Sequence, residues 1–303
     1  MDLKISRKEI RGHAIVAAKT IEFIFSEILN NCELEKLVFL VLCHHLSPSK
    51  IKALNKPYDA WISLLIKLRV ADHLSSDAER RLYSKEIKPN LVNEDIRRLI
   101  FINPLCPREY PVPLESISTR SYEKVLKRLK EYIVGIFRAT GGLNMRFFNT
   151  LYILLEPLLI HIANSERISQ LLLYPADTRI PTHTILDHVY ATCQVVPLVK
   201  VYDENKICLE GSLVNFESIG TQDFLRASRK LRDLAASSFI ASLTSWYITR
   251  KFIEKYGAQI CLMPTLRLNT FAVTYATFAL KENEELHEKI VKILKDLGLT
   301  LRA

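Results

Sequence analysis

Histidine and aspartate, which hold divalent cations and move protons in many enzymes, lie near the ends of predicted helices at five positions. These candidate ligands are His44, His45, Asp72, Asp187 and His188. Imidazole and carboxylate groups gathered from several helices can hold a divalent cation for phosphoester hydrolysis. The alternative is local, because His44 and His45 would also cap a helix, and Asp187 would cap or pair with its neighbours. Spacing leaves both interpretations open, so the predicted cofactor is one divalent transition-metal ion or none.

A basic cluster is the second candidate site. Arg226, Arg229, Lys230 and Arg232 fall near the start of a long predicted helix, and Asp233 follows Arg229 by four residues. Such a cluster can contact the phosphates of a nucleic acid or a nucleotide. A solvated helix side, with Asp233 in a structural ion pair, explains it equally well. The chain has 42 Lys and Arg against 33 Asp and Glu, and its net charge of +9 indicates an anionic partner such as nucleic acid or an acidic subunit.

The elements that must position these residues are helical over the first 200 residues. Apolar residues recur at helical spacing over 15–29, 33–46, 58–74, 122–137 and 145–164, and a short helix is predicted over 182–193. The prolines between residues 103 and 113 predict a loop. The sequence therefore predicts a helical domain over residues 1–200.

After residue 200 the pattern indicates strands as well as helices. The predicted order is a strand at 206–216, a long helix at 221–256, strands at 259–263 and 271–279, a helix at 282–297 and a last strand at 299–301. This order is typical of a ferredoxin-like domain, predicted here over 201–303. The long helix carries an apolar stripe formed by Phe224, Leu231, Leu234, Ala235, Phe239 and Leu243. The predicted fold class is α+β and helix-dominated.

Composition and motifs exclude several classes of protein. A content of 49% hydrophobic and 25% charged residues is typical of a folded protein and excludes intrinsic disorder. No uninterrupted apolar run has membrane-spanning length and no signal peptide is recognisable, so we expect a cytoplasmic protein with no membrane partner. The glycine motifs of dinucleotide-binding proteins and NTPases are absent from the sequence, as is the serine-hydrolase elbow.

The predicted ferredoxin-like domain lacks the carboxylates that two-metal nucleotidyl transfer requires. Its first strand ends in Asn215, Phe216 and Glu217, and the hairpin between its middle strands, 264–269, contains no acidic residue. Gly-Gly-Asp-Asp occurs nowhere in the chain. We therefore expect no nucleotidyl transfer by this chain alone, and its status as an enzyme depends on the histidine and aspartate cluster.

Four segments, in order along the chain, resemble those of a known family. Residues 43–50 (CHHLSPSK) look like its His-Asp-x-Pro segment followed by Lys, and residues 71–80 (ADHLSSDAER) are similar to its Ala-Asp…Ser-Ser…Arg segment. Residues 175–188 (PADTRIPTHTILDH) are close to its Pro-Ala-Asp-Thr-Arg…Asp-His segment, the most specific of the four. Residues 218–234 look like its Gly-Pro-Val-Gln-x-Phe-Ile…Ala-Arg-Lys-Thr-Arg-Asp-Leu segment, and Pro264–Arg267 adds a weaker fifth. On these residues the chain resembles the N-terminal part of the large subunit of type III CRISPR effector complexes, the Cmr-type (III-B) in particular.

This resemblance implies a permuted HD-type helical domain followed by a first palm-like, ferredoxin-like domain. It implies a split or shortened large subunit of an RNA-guided antiviral ribonucleoprotein, acting mainly as a structural and nucleic-acid-binding scaffold. The expected partners are other Cmr-type effector subunits, a CRISPR guide RNA, a target RNA and a chain carrying the Gly-Gly-Asp-Asp palm that makes cyclic oligoadenylate. Asp177 and Arg179 are expected to be structural, as an ion pair or a loop anchor.

Position 45 departs from the pattern of this family. Where the family has an aspartate that can bridge two cations, this chain has His45, whose imidazole nitrogen ligates one cation. The resemblance thus implies a degenerate HD-like site, in which a single ion could be held by His44, Asp72, Asp187 and His188. The alternative function is a metal-dependent HD-type phosphohydrolase or single-strand DNase. A nucleic-acid-binding protein outside CRISPR systems is the weaker alternative, because it leaves the ordered segments unexplained.

Overall fold

A computed structural model describes residues 12–46, 50, 59–83, 98–103, 106–113, 117–173, 184–202, 207–217, 221–263, 266, 275–281 and 286–296. The chain divides into two compact units, residues 1–143 with 155–208 and residues 144–154 with 209–303. Helices hold most of the described residues and the sheets are small, which confirms a helix-dominated α+β chain. The domain border near residue 200 stays a prediction.

The first unit consists of helices, a hairpin and one two-stranded sheet. In chain order its elements are α1 (Gly12–Phe25), α2 (Asn31–Cys43), α3 (Asp59–Tyr83), β1 (Arg98–Asn103), β2 (Cys106–Pro113), α4 (Thr119–Thr140), the second half of α5 (Met145–Ser165), a 3₁₀ turn (Ser169–Leu173), α6 (Ile185–Val195), another 3₁₀ turn (Val196–Leu198), β3 (Val199–Val201) and β4 (Ile207–Leu209). β1 pairs with β2, and β3 pairs with β4.

The packing of α2 on α3 positions the histidine pair. α2 begins with a capping box, in which Asn30 accepts from the Glu33 N–H at 2.9 Å and Glu33 accepts from the Asn30 N–H at 3.2 Å. The rings of Phe39 and Trp61 lie 5.5 Å apart across the two helices. Burying a side chain such as that of Phe39 contributes about 1.5–3 kcal/mol to the stability of the fold. The shared core fixes the end of α2 against α3 and is formed by Phe39, Leu40, Cys43, Leu46 and Leu65.

α3 continues to Tyr83, so the predicted helix end at residue 74 is wrong. Serine pairs often end helices because their hydroxyls compete for backbone groups. Here the hydroxyls of Ser75 and Ser76 donate to the carbonyl of Asp72, at 3.0 and 2.9 Å, and stay within the helical path. The helix therefore passes through the serine pair.

The prediction of a loop over residues 103–113 is also wrong. Residues 106–113 form β2, which pairs antiparallel with β1 from Arg98↔Pro113 to Asn103↔Cys106. Both strands are edges of a two-stranded ribbon, and an edge strand tolerates proline because the missing N–H can face away from the ladder.

The second unit contains a three-stranded antiparallel sheet. Its elements are the first turns of α5, then β5 (Ser212–Glu217), α7 (Thr221–Arg226), α8 (Leu231–Tyr256), a 3₁₀ turn (Ala258–Ile260), β6 (Cys261–Met263), β7 (Tyr275–Leu280) and α9 (Leu286–Asp296). The strand order is β5-β7-β6, and β5 pairs with β7 from Ser212↔Leu280 to Glu217↔Tyr275. The strand predicted at 299–301 and most of the predicted 264–269 hairpin lie outside the described residues.

The predicted single helix over 221–256 is two helices. α7 ends at Arg226, and α8 starts again after Lys230, whose backbone is extended (φ −128°, ψ 153°). No glycine or proline marks this break in the sequence. The hydroxyls of Ser228 and Ser237 lie 3.1 Å apart, which ties the junction to the second turn of α8.

The apolar stripe predicted from the sequence is not the buried face of α8. The buried face consists of Ala241, Ser245, Ile248, Thr249, Phe252 and Ile253. On it, the Phe252 ring stacks on Phe278 of β7 with centroids 4.6 Å apart. Leu231 of the predicted stripe is 82% exposed. Large apolar side chains also lie exposed on the opposite side of the helix, and we call Phe239, Ile240, Leu243 and Tyr247 the outer apolar face.

The end of α8 is held by a residue from α5. Asn149 donates to the Ile253 carbonyl at 3.1 Å and accepts from the Ala258 N–H at 2.7 Å. Between them Gly257 has φ +96°, and a Cβ there would lie 2.3 Å from the Gln259 amide. Asn149 and Gly257 together let the chain leave α8 and enter β6.

One described helix, α5, is long and apolar enough to cross a membrane by length and composition. The sequence prediction of no such segment rested on Glu156 and Pro157, which lie inside this helix. Core helices of soluble proteins meet the same criterion, so length and composition assign no membrane span here.

Candidate functional site

The histidine pair lies in the turn that follows α2. The helix ends at Cys43, and His44 is its C-cap with a helical backbone (φ −61°, ψ −18°). The Nδ1 atom of His44 lies 2.6 Å from the Val41 carbonyl oxygen. A carbonyl only accepts, so this contact assigns the proton to Nδ1 and leaves Nε2 as the ligating nitrogen of this ring.

Asp72 faces this turn from α3. One helical turn earlier on α3, the guanidinium of Arg69 donates through Nη1 to the Leu46 carbonyl, directly after the histidine pair. Burial lowers the pKa of Arg69. The Arg69 contact and the α2–α3 core hold the turn beside Asp72.

His44, His45 and Asp72 form a compact cluster. One ligand atom from each residue lies within 4.8 Å of the other two, and all three side chains are partly buried. His45 Nδ1 is 3.9 Å from Asp72 Oδ2, and the two imidazole centroids are 3.9 Å apart. The predicted metal-ligand set is therefore brought together at these three positions.

Asp72 is suited to bind a cation. Burial alone raises the pKa of its carboxyl, but the hydrogen bond from His188 and the charges of His44, His188 and His45 outweigh burial and lower that pKa below its usual range. The carboxylate is consequently ionised at neutral pH. An ionised carboxylate beside two imidazoles is a donor set that transition-metal ions accept.

His188 joins the cluster from α6 through Asp72. Its Nε2 lies 3.0 Å from Asp72 Oδ1, and its Nδ1 lies 3.1 Å from the Ser75 hydroxyl. Thr192 approaches the same Ser75 hydroxyl at 2.9 Å and donates to the His188 carbonyl at 2.9 Å. His188 is not part of the three-residue set whose ligand atoms lie within 4.8 Å of one another.

Asp187 takes part in a capping box at the start of α6. Its carboxylate accepts from the Thr184 hydroxyl at 2.7 Å, and its N–H donates to that hydroxyl oxygen at 3.2 Å. The local alternative considered for Asp187 is thus observed, while its role as a ligand stays a prediction. Asp177 and Arg179 lie outside the described residues.

The residues present fit one cation. Two imidazoles and one carboxylate supply three ligands, the number that catalytic sites provide when they keep an open position for substrate. Asp72 is the only carboxylate among these three residues, so the set holds no second carboxylate that could bridge two cations. A divalent cation held there would act as a Lewis acid on a phosphoryl oxygen.

The basic cluster lies at the junction of α7 and α8. Arg226, Arg229, Lys230 and Arg232 are all exposed. Because the junction is not helical, these residues do not form one helix side, which corrects the predicted arrangement. Asp233 approaches Arg232, with Oδ1 3.9 Å from Nε, where the prediction paired it with Arg229.

Three site residues were missed by sequence reasoning. Ser75 belongs to the Ala-Asp…Ser-Ser…Arg segment, so a signal for it existed, but its contact with His188 spans 113 residues of sequence. Thr192 follows His188 by one helical turn, and Arg69 precedes Asp72 by one, yet neither carries a motif. Their roles depend on the packing of α2, α3 and α6.

In sequence, the chain is similar to Cmr2 proteins of CRISPR systems. The family described as "CRISPR-associated protein Cmr2, N-terminal" matches residues 213–296. The "CRISPR system CMR subunit Cmr2" of Saccharolobus solfataricus is 29% identical over 229 residues, covering 75% of this chain and 21% of that protein. The "CRISPR system Cmr subunit Cmr2" of Pyrococcus furiosus is 27% identical over 147 residues, covering 42% and 16%. The chain spans about a fifth of the length of the curated relatives it matches.

Solved structures with a similar fold come from type III complexes. "Type III-B Cmr-beta Cryo-EM structure of the Apo state" has a TM-score of 0.53 at 22% identity, over 73% of this chain and 26% of that one. "Crystal structure of Csm1-Csm4 cassette in complex with cA3" has a TM-score of 0.53 at 15% identity, over 94% and 38%. The sequence matches and this fold confirm the resemblance to the N-terminal part of a type III-B large subunit.

Proposed function

We propose that this chain is a cytoplasmic subunit of a type III-B CRISPR effector complex and acts there as a structural, nucleic-acid-binding scaffold. Similarity to Cmr2 proteins over 75% of the chain supports its place in such a complex. The observation that carries the scaffold role is the outer apolar face of α8. A helix that is apolar on two opposite sides is normally covered on both, so a partner surface is expected on this face.

The partner proposed for this face is a chain that carries the Gly-Gly-Asp-Asp palm. The antiparallel sheet of the second unit has the order β5-β7-β6, so its last strand lies between the first two. This order supports a palm-like, ferredoxin-like second unit. This unit lacks the acidic pair of a nucleotidyl-transfer site, so its contribution is contact rather than nucleotide chemistry. The other partners proposed are Cmr-type effector subunits, guide RNA and target RNA.

The α7–α8 junction is proposed as the nucleic-acid contact of this unit. α8 starts without a side-chain cap, and the residues around its first turn carry positive charge where the helix dipole favours negative charge. Within the part of the chain that the structure describes, the one ion pair of these cations is the contact of Arg232 with Asp233. A phosphate group at the start of α8 would relieve the repulsion among these cations and accept hydrogen bonds from the backbone N–H groups of the first turn.

Co-expression with the Gly-Gly-Asp-Asp chain and a guide RNA tests the scaffold proposal. Native mass spectrometry is expected to show this chain within the assembled complex. The double substitution Ile240→Asp with Leu243→Asp is expected to lower its occupancy at least tenfold, because charges are placed on the face to be buried. Val16→Asp is the matched control, since Val16 is an apolar residue of α1 that is 54% exposed. Assembly of the double variant at the level of the unsubstituted chain would contradict the proposal.

A metal-dependent phosphohydrolase or single-strand DNase is the second candidate function. The cluster of His44, His45 and Asp72 favours this function. We propose that the first unit, which contains the cluster, is a degenerate HD-like domain. Single-stranded DNA incubated with the chain and Mn²⁺ or Ni²⁺ is expected to be cleaved, and His44→Ala or Asp72→Ala is expected to abolish cleavage. Cleavage that survives both substitutions would remove this site from the reaction.

A further inference from the structure

We propose that His188 positions Asp72 and does not itself bind the cation, so that the described residues supply three protein ligands, His44, His45 and Asp72. This inference deepens the second candidate function and rests on it. His188 Nε2 lies 3.0 Å from Asp72 Oδ1. An ionised carboxylate only accepts hydrogen bonds, so the ring nitrogen at this distance carries a proton. A protonated nitrogen has no lone pair for a metal ion.

The second nitrogen of the ring is also engaged. His188 Nδ1 lies 3.1 Å from the hydroxyl of Ser75. The hydroxyl has a single proton: it donates that proton to Nδ1 of the neutral ring, or it donates it to the Asp72 carbonyl while its oxygen accepts from Nδ1–H of the charged ring. In both protonation states Nε2 donates to Asp72, and the ring presents no acceptor to the cluster.

Ser75 and Thr192 hold the ring in this orientation. The Thr192 hydroxyl donates to the His188 carbonyl at 2.9 Å and meets the Ser75 hydroxyl at 2.9 Å. Ser75 in turn lies 3.0 Å from the Asp72 carbonyl. The two hydroxyls thereby link the backbone of α3 at Asp72 to the backbone of α6 at His188.

The contact also favours a single cation. Oδ1 of Asp72 accepts from His188, while Oδ2 lies 3.9 Å from His45 Nδ1. A carboxylate that bridged two cations through both oxygens would have to share Oδ1 between a cation and the His188 N–H. His44, His45 and Oδ2 of Asp72 are therefore assigned to a single ion with open coordination positions.

Titration with Co²⁺ separates a positioning residue from a ligand, because its visible absorption reports coordination number and geometry. The metal-free chain is expected to bind one Co²⁺, and His44→Ala or Asp72→Ala is expected to abolish binding. His188→Ala is expected to keep one Co²⁺ with affinity about 10–100-fold weaker and an unchanged spectrum at saturation. His188→Gln is expected to restore part of the affinity, because its amide N–H reaches about the position of Nε2.

Two matched controls accompany these variants. Ser75→Ala is expected to weaken Co²⁺ binding, whereas Ser76→Ala is expected to leave it unchanged. Both hydroxyls lie within hydrogen-bond distance of the Asp72 carbonyl, but of these two described residues it is Ser75 that contacts His188. His73→Ala controls for loss of a neighbouring imidazole, since His73 is exposed. A second bound Co²⁺ would overturn the assignment of a single ion. Loss of all binding in His188→Ala, or a changed spectrum in that variant at saturation, would make His188 a ligand.

A double-mutant cycle keeps the inference distinct from the metal proposal. If the unsubstituted chain binds no Co²⁺, the hydrolase proposal fails. The contact is then tested by unfolding, comparing His188→Ala, Asp72→Asn and the double variant in metal-free buffer. Non-additive losses are expected for a direct pair. Additive losses would overturn the positioning role.

Discussion

Nε2 of His188 on α6 lies 3.0 Å from Oδ1 of Asp72 on α3, although 116 residues separate them in the sequence. The contact joins two segments that the sequence pointed to independently. Through Asp72 it also connects α6 to the histidine pair after α2, where His45 Nδ1 lies 3.9 Å from Oδ2. Three helical segments of the first unit thus converge on one carboxylate.

Asp187 is expected to stabilise α6 rather than the metal centre. Asp187→Ala removes the N3 carboxylate of the capping box with Thr184 and should lower the free energy of unfolding by about 0.5–1.5 kcal/mol, the net contribution of a typical hydrogen bond. The affinity for Co²⁺ should change less than twofold, because the carboxylate is committed to the helix start. Urea unfolding and Co²⁺ titration of the same preparation measure the two effects.

Thr184→Ala provides the control for this expectation, since it removes the other half of the capping box and carries no metal ligand. The two variants should lose similar stability. A loss of more than tenfold in Co²⁺ affinity for Asp187→Ala, with Thr184→Ala unaffected, would show that Asp187 is a ligand.

Residue type was enough to point to the candidate ligands, although the helix end predicted beside Asp72 is wrong because α3 continues to Tyr83. Side-chain chemistry singles out His44, His45 and Asp72, and the structure brings them together. The roles of Ser75 and Arg69 could not be found that way. Their partners, His188 and the Leu46 carbonyl, lie 113 and 23 residues away, and local pattern carries no record of such pairings.

The fold shows the same division between local and long-range information. Helical periodicity located α2, α5 and α9 closely, because an amphipathic stripe is a local property. The break before α8 has no glycine or proline and is accompanied by a Ser228–Ser237 contact across it. The buried side of α8 was predicted wrongly because both of its sides are apolar, so periodicity could not distinguish them.

Asn149 is expected to be an essential polar link of the second unit. Asn149→Ala leaves the buried Ala258 N–H without its side-chain partner, a loss that costs about 1–3 kcal/mol, whereas the Ile253 carbonyl keeps its bond from the Gly257 N–H at 2.9 Å. We expect a loss of about 1–3 kcal/mol in the free energy of unfolding. Urea unfolding of a Trp61→Phe background, in which the tryptophan fluorescence comes from Trp246 on α8, measures it.

Asn164→Ala is the matched control for Asn149, because Asn164 lies on the same helix and is exposed. Its free energy of unfolding should change by less than about 0.5 kcal/mol. Equal stability of the two variants would mean that the Asn149 contacts contribute nothing measurable.

The α7–α8 junction is expected to contribute to the salt dependence of RNA binding. For single strands, log K falls with log salt by about 0.7 for each phosphate contact. Arg229→Ala with Lys230→Ala should reduce that slope by about 1.4 if each residue contacts one phosphate. Fluorescence anisotropy with labelled single-stranded RNA at several salt concentrations measures it.

A second pair of cations, within α8 itself, controls for the lost charge. Arg250 and Lys251 are paired with Glu254, at 2.7 and 3.3 Å. Arg250→Ala with Lys251→Ala removes the same charge and should leave the slope nearly unchanged. Identical slopes for both double variants would assign the effect to net charge and not to the junction.

Burial is expected to separate the cysteines by reactivity and by their effect on stability at high pH. It raises the pKa of Cys43 and of Cys261 to about 12, so their thiols stay protonated in the folded chain. The thiolate is the reactive form, and iodoacetamide at pH 8 should therefore modify the exposed Cys32 in the folded chain and reach Cys43 and Cys261 after unfolding. Mass spectrometry of tryptic peptides identifies the modified residues.

The same raised pKa values set the sign of the stability change with pH. Above about pH 8.5 the thiols ionise in the unfolded chain and remain neutral in the folded one, so the unfolded state binds fewer protons and the free energy of unfolding falls as pH rises. Each thiol contributes at most about 1.4 kcal/mol per pH unit in this range. Cys261→Ala should therefore flatten the decline between pH 8.5 and pH 10, whereas Cys32→Ser should leave it unchanged. A decline that is equally steep in both variants would contradict the burial of the Cys261 thiol as the cause.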